Sequence, residues 1–152
     1  MTDSDRQAKT IVKVTRMMPA RPEAVFAAWT DQSGLTQWFC PGTMQLVLAE
    51  LDVRVGGHFR LLMRGELGDY DVRGVYREVN PPSRLAFTWM PSSSRGEESL
   101  VIIDLRPAGN QTEFILTHER HPDDDTRARR QQGWEAITDK LIGVLANARP
   151  VA

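Results

Sequence analysis

Thr126 to Ala148 reads TRARRQQGWEAITDKLIGVLANA, the one long stretch with helical periodicity in a chain of short alternating segments and Gly/Pro turns. Trp134, Ile137, Leu141, Leu145 and Ala148 recur at helical spacing and predict an amphipathic C-terminal helix. An apolar stripe of that length needs a broad apolar surface to lie on, and only the preceding strands can supply one. The expected fold class is therefore α+β, a curved antiparallel sheet wrapped round a closing helix, with a hollow between them.

Working outward, Met44 to His118 has period two, punctuated at Gly56-Gly57, Gly65, Gly68, Asn80-Pro81-Pro82, Pro91 to Gly96 and Pro107 to Asn110. This predicts about six strands in an antiparallel meander. The face carrying Phe59, Leu61, Met63, Leu85, Phe87, Trp89, Val101, Ile103, Leu105, Phe114, Leu116 and His118 is large and apolar. Gly56-Gly57 reads as a turn or bulge, since no Lys-Ser/Thr follows to make a phosphate loop. Upstream, Ile11, Val12, Val14 and Met17 begin a first strand. Pro22 and Glu23 open a short helix carrying Val25, Phe26 and Trp29. Ser33 is the expected cap of a second short helix carrying Leu35, Trp38 and Phe39, stopped by Pro41-Gly42.

The 152 residues suit one domain, with 1–9 read as a frayed, disordered tail and 10–149 as the folded unit. A net charge of −1 offers nothing to recruit nucleic acid or an anionic membrane. No apolar run approaches the roughly 20 residues of a membrane helix. The single cysteine, Cys40, cannot form an internal disulfide, and the N-terminus is polar and acidic, so the expected location is the cytoplasm. An exposed strand edge would allow a homodimer as readily as a monomer.

Several stretches quoted together resemble one family: Pro22 to Asp31, Gln37-Trp38-Phe39, Gly56 to Arg60, Gly74 to Trp89, Thr117-His118-Glu119 and Gly133-Trp134. They look like the homologues of the heat shock protein 90 ATPase activator, within the START-like (SRPBCC) superfamily, over nearly all the chain after Lys9. The resemblance implies a helix-grip fold with an apolar cavity, and hence binding of a hydrophobic small molecule or lipid. It also brings in a role in the stress response, with a chaperone as partner. Family members often carry Trp-Trp-Gly-Pro where this chain has Trp38-Phe39-Cys40-Pro41. The eukaryotic activator has an additional N-terminal chaperone-binding domain with no counterpart among these residues.

The expected ligand-binding residues are Trp38, Phe59, Leu61, Met63, Tyr76, Phe87, Trp89, Leu116, His118, Trp134 and Ile137, placed where sheet, second short helix and closing helix should converge. Met63 adds an adaptable wall, and His118 or Tyr76 would orient the ligand. No cofactor, metal site or catalytic residue is assigned. His118-Glu119-Arg120-His121 lacks the spacing of a metal site. Cys40, towards a helix C-terminus, lacks the positive surroundings of a reactive thiolate. Gly133 inside a helix costs about 1 kcal/mol relative to Ala. Either close approach to a strand or room for a ligand beside Trp134 would account for it. Arg127, Arg129 and Arg130 oppose the helix dipole and read as a solvated face paired with Asp123 to Asp125. The leading function is noncatalytic binding of an apolar molecule. A polyketide cyclase-like enzyme and a chaperone or stress-response interaction protein are the alternatives.

Overall fold

A computed structural model of the chain describes residues 11–40, 43–66, 68–92, 98–119 and 124–147. The frayed tail expected over 1–9 lies outside them. Seven strands form one antiparallel sheet: β1 (Val12–Met18), β2 (Gln45–Leu51), β3 (His58–Gly65), β4 (Gly68–Asn80), β5 (Arg84–Pro91), β6 (Ser99–Ala108) and β7 (Gln111–Glu119). Their order is β1-β7-β6-β5-β4-β3-β2. The meander is thus as expected, and β1 returns to pair with the last strand, with Val14 opposite Leu116. Short helices α1 (Pro22–Thr30) and α2 (Gln32–Leu35) follow β1, and α3 (Asp124–Asn147) closes the chain. This is the α+β helix-grip arrangement.

Four details differ from the sequence reading. Val12, Val14 and Met18 hold the inward phase of β1, so Met17 is exposed; strict alternation from Val12 allows nothing else. Asp31, not Ser33, caps α2, accepting from the Gly34 amide at 3.2 Å, and Ser33 lies within the helix. Trp38 and Phe39 come after that helix, in turns whose amides return to Leu35 O. Finally, α3 begins at Asp124, two residues before the expected start.

One face of the sheet is buried from edge to edge, and Trp134, Ile137, Leu141 and Leu145 of α3 are buried with it. Trp29 of α1 sits at the centre of the resulting aromatic cluster, 4.8 Å from Trp38, 5.8 Å from Phe39 and 6.1 Å from Trp134 between ring centroids. Edge-on and tilted contacts of this kind add to plain burial. Gly74 faces Phe59 across β3 and β4. A Cβ there would run into the Thr88 carbonyl and the Phe59 ring, so only glycine lets that ring cross the strand. Gly56, at φ +85, supplies the left-handed residue of the β2–β3 turn, and its amide donates to Tyr76 O at 2.9 Å.

A buried polar ladder fastens α3 to the sheet. Trp134 Nε1 donates to His118 Nδ1 at 2.9 Å, and His118 Nε2 lies 2.6 Å from Ser99 Oγ. An indole N–H can only donate, so Nδ1 must be the acceptor and Nε2 carries the proton. Ser99 Oγ then donates onward to Trp89 O at 3.1 Å. Gln131 adds a bond from Nε2 to Lys13 O at 3.2 Å, tying the same helix to β1.

Three substitutions separate these contributions by chemical denaturation. Gly74→Ala should lower stability by about 1–3 kcal/mol through overpacking. Trp134→Phe should lower it by a similar amount, about 1–3 kcal/mol, because the buried His118 acceptor loses its donor. Gly133→Ala should raise it by up to about 1 kcal/mol, because a Cβ there meets nothing within 4 Å in mid-helix.

Candidate functional site

The aromatic cluster occupies the place where sheet and short helices converge. It leaves a void of about 20 Å³ there, bordered by Trp29, Phe39, Phe59, Leu61, Tyr76, Phe87 and Trp89 among others. That is room for about one water. A larger cavity of about 230 Å³ lies under the first half of α3, against β3, β4 and β5. Buried Met63, Trp89, Trp134 and Ile137 line its depth. Met44, Tyr70, Gly133 and the two arginines Arg129 and Arg130 line its rim, all half-buried or exposed. A third depression of about 260 Å³, more polar, runs from Trp38 and Cys40 to Lys140.

The expected ligand residues are therefore distributed rather than gathered. Met63, Trp89, Trp134 and Ile137 share the larger cavity, and Phe59, Leu61, Tyr76 and Phe87 surround the small void, with Trp89 common to both. Trp38 borders the third depression. Leu116 and His118 are fully buried under the helix and border none of the three. Of the two explanations for Gly133, close approach to a strand fails, since the space beside it is open. Room beside Trp134 is what the helix has.

Met44, Tyr70, Arg129 and Arg130 complete the rim and were not singled out as ligand groups by the sequence. Their signals were present. Arg130, Gly133, Trp134 and Ile137 stand at i, i+3, i+4 and i+7 on one helix face. Tyr70 is in phase with Val72 and Tyr76 on β4 and pairs with Met63 of β3.

The rim is electropositive. Arg130 stacks over the Tyr70 ring with its guanidinium carbon 5.1 Å from the centroid. Arg129 Nη2 donates to Thr126 Oγ1 at 3.3 Å. Neither arginine forms an ion pair with a carboxylate among the described residues. Of the aspartates expected to pair with them, Asp123 and the side chain of Asp124 lie outside what the structure describes. The Tyr70 oxygen accepts from Trp89 Nε1 at 3.4 Å, and burial keeps its phenol protonated against the opposing pull of Arg130. Burial, reinforced by Asp52, likewise pushes the Tyr76 phenol up.

Two other groups bear on chemistry. Burial raises the Cys40 thiol to about 11, with Lys140 opposing weakly, which leaves it a poor nucleophile. Trp29 Nε1 and Trp38 Nε1 are buried donors without a hydrogen-bond partner among the described residues. No cluster of three or more His, Cys, Asp or Glu side chains suited to a metal occurs among those residues, and His121 lies outside them. No helix among them is long and apolar enough to cross a membrane.

Solved structures share the architecture. An AHSA1 protein from Silicibacter pomeroyi is 29% identical, with 91% of this chain and 99% of that chain covered at a TM-score of 0.81. An AHSA1-like protein from Aeromonas hydrophila is 24% identical over 90% of this chain and 94% of its own, with a TM-score of 0.75. CalU16 from Micromonospora echinospora, 24% identical over 91% of this chain and 76% of its own, superposes with a TM-score of 0.71. At 24% identity the likeness is one of fold. No curated protein matches the chain. Residues 19–146 match the family described as Activator of Hsp90 ATPase homolog 1-like protein, and the chain belongs to that family.

Proposed function

We propose that the chain binds a hydrophobic small molecule or lipid in the cavity between α3 and the sheet, without chemistry of its own. The carrying observation is the cavity of about 230 Å³ beside Gly133, floored by four buried apolar side chains. It lies just under the usual range for ligand pockets, roughly 300–1,000 Å³. Burial of ligand surface at about 25 cal/mol per Å² supplies affinity.

The groups that would suggest catalysis are otherwise engaged. His118 has both ring nitrogens bonded to protein groups and lines neither the small void nor the larger cavity. Tyr76 borders the small void and not the larger cavity. A polyketide cyclase-like reaction needs an acid or base within reach of the bound ligand; neither His118 nor Tyr76 lines the larger cavity, and the Tyr70 phenol on its rim is kept protonated by burial, which suits it to hydrogen bonding rather than to proton abstraction. A docking role for the outer surface finds little support. The exposed large apolar side chains Met17, Val47 and Val55 lie on β1, on β2 and in the turn after it. Strands β1 and β2 are opposite edges of the sheet, so among the described residues Met17 stands apart from Val47 and Val55.

Native mass spectrometry of the purified protein, followed by organic extraction, should find an apolar molecule at one per chain. Gly133→Leu, which fills the cavity mouth while improving helix propensity, should emerge empty and fully folded. A clean apo mass, with no thermal shift across a panel of lipids and aromatic metabolites, would count decisively against the reading.

Cys40 supplies a separate check. Because its folded value lies above the ordinary 9.0, its contribution to stability is whole below pH 9 and is lost as pH rises toward 11. At pH 8 the native thiol should react with a disulfide reagent at least about tenfold more slowly than the thiol unfolded in guanidinium. Equal rates would restore a nucleophilic role.

A further inference from the structure

The rim of the larger cavity carries a combination that apolar binding leaves unexplained. Three donor groups border one opening: the guanidinium groups of Arg129 and Arg130 and the hydroxyl of Tyr70. The Tyr70 oxygen accepts from the Trp89 indole N–H at 3.4 Å. An indole N–H can only donate, so the phenol's own hydrogen remains available to be given. Stacking on Tyr70 uses the face of the Arg130 guanidinium and leaves donors along its edge. No carboxylate whose side chain is described answers these groups, although six other arginines, Arg16, Arg54, Arg60, Arg64, Arg84 and Arg106, have at least one.

Both arginines stand in the second turn of α3, just inside the end whose dipole favours an anion. An anion seated at the rim would accept from all three donors. Meanwhile the cavity below, with Met63, Trp89, Trp134 and Ile137, takes an apolar body.

We propose that the ligand is an amphipathic monocarboxylate, its carboxylate held at the rim by Arg129, Arg130 and the Tyr70 hydroxyl and its apolar body lying along Trp89 and Trp134. This rests on the cavity reading above and adds the head group. The body is either a flexible alkyl chain or a flat alkylaryl group, since both present the same head.

The test is titration of the full chain, by tryptophan fluorescence and calorimetry, with decanoate, 4-butylbenzoate, 1-decanol and decyltrimethylammonium, all below their aggregation limits. At least one carboxylate should bind about tenfold or more tightly than the alcohol, the ammonium should bind weakest, and added salt should weaken only the carboxylate. The tighter of the two carboxylates assigns the body. In Arg129→Gln/Arg130→Gln the carboxylate advantage should fall to within about twofold of the alcohol, whose own affinity stays unchanged. That variant should keep the parent's far-UV circular dichroism and melt cooperatively within about 5 °C of it, since the lost Arg130 stacking on Tyr70 is a single half-buried contact. If alcohol and carboxylate bind alike in the parent, or the advantage survives the double substitution, the anionic head is wrong while the cavity reading stands. If none of the four probes binds, or if binding persists in Gly133→Leu, both are overturned.

Discussion

The indole-to-imidazole hydrogen bond between Trp134 and His118 is the constraint on which the rest of the arrangement depends. An apolar helix face can rotate or slide on an apolar sheet at little penalty, because dispersion and hydrophobic burial have no strong directionality. A buried hydrogen bond cannot. Trp134 Nε1 must reach His118 Nδ1, and the proton thereby left on Nε2 must reach Ser99. One helix position is thus fixed against β7 and β6, and through Trp89 O against β5. In a low-dielectric interior such a ladder is stabilising only when every member is satisfied, so it selects one register.

That register sets where space remains. It brings Trp134 to 5.1 Å from Trp89 and turns Gly133 toward an opening rather than toward a strand. Deeper in, Trp29 and Phe39 from the segment after β1 pack against each other and against Trp134, and the void they border is only about 20 Å³. The usable cavity is consequently displaced toward the start of α3, at the arginine-bearing end. A mid-helix glycine is unfavourable locally. Local rules tend to be broken where function requires it, and here the exception falls on the rim that carries both arginines.

Membership of the Activator of Hsp90 ATPase homolog 1-like protein family places the architecture but not the activity, since one fold hosts binding, catalysis and regulation. In this chain the discriminating features are particular side chains. An imidazole held at both nitrogens and a thiol pushed up by burial stand beside an apolar chamber with an electropositive mouth, and the proposed ligand binding rests on that contrast.

By itself the sequence determined the elements and their faces. Period two from Met44 to His118 specified the meander and its inward residues, and the spacing of Trp134, Ile137, Leu141 and Leu145 specified the closing helix, because periodicity is a local property of the chain. The inward phase of His118 was legible for the same reason. The tertiary structure alone decided what those inward residues do. Whether Phe59, Tyr76 and Phe87 line a chamber or close it depends on how deeply Trp29 and Phe39 insert, which is a matter of three-dimensional volume. Whether His118 faces a ligand or the Trp134 indole depends on the rotation of a helix that follows it in sequence. Arg130, Gly133 and Trp134 shared a helix face in the sequence, but their meeting with Tyr70 and Met63 across the sheet required the packed fold, because residues far apart along the chain become neighbours only when the core closes.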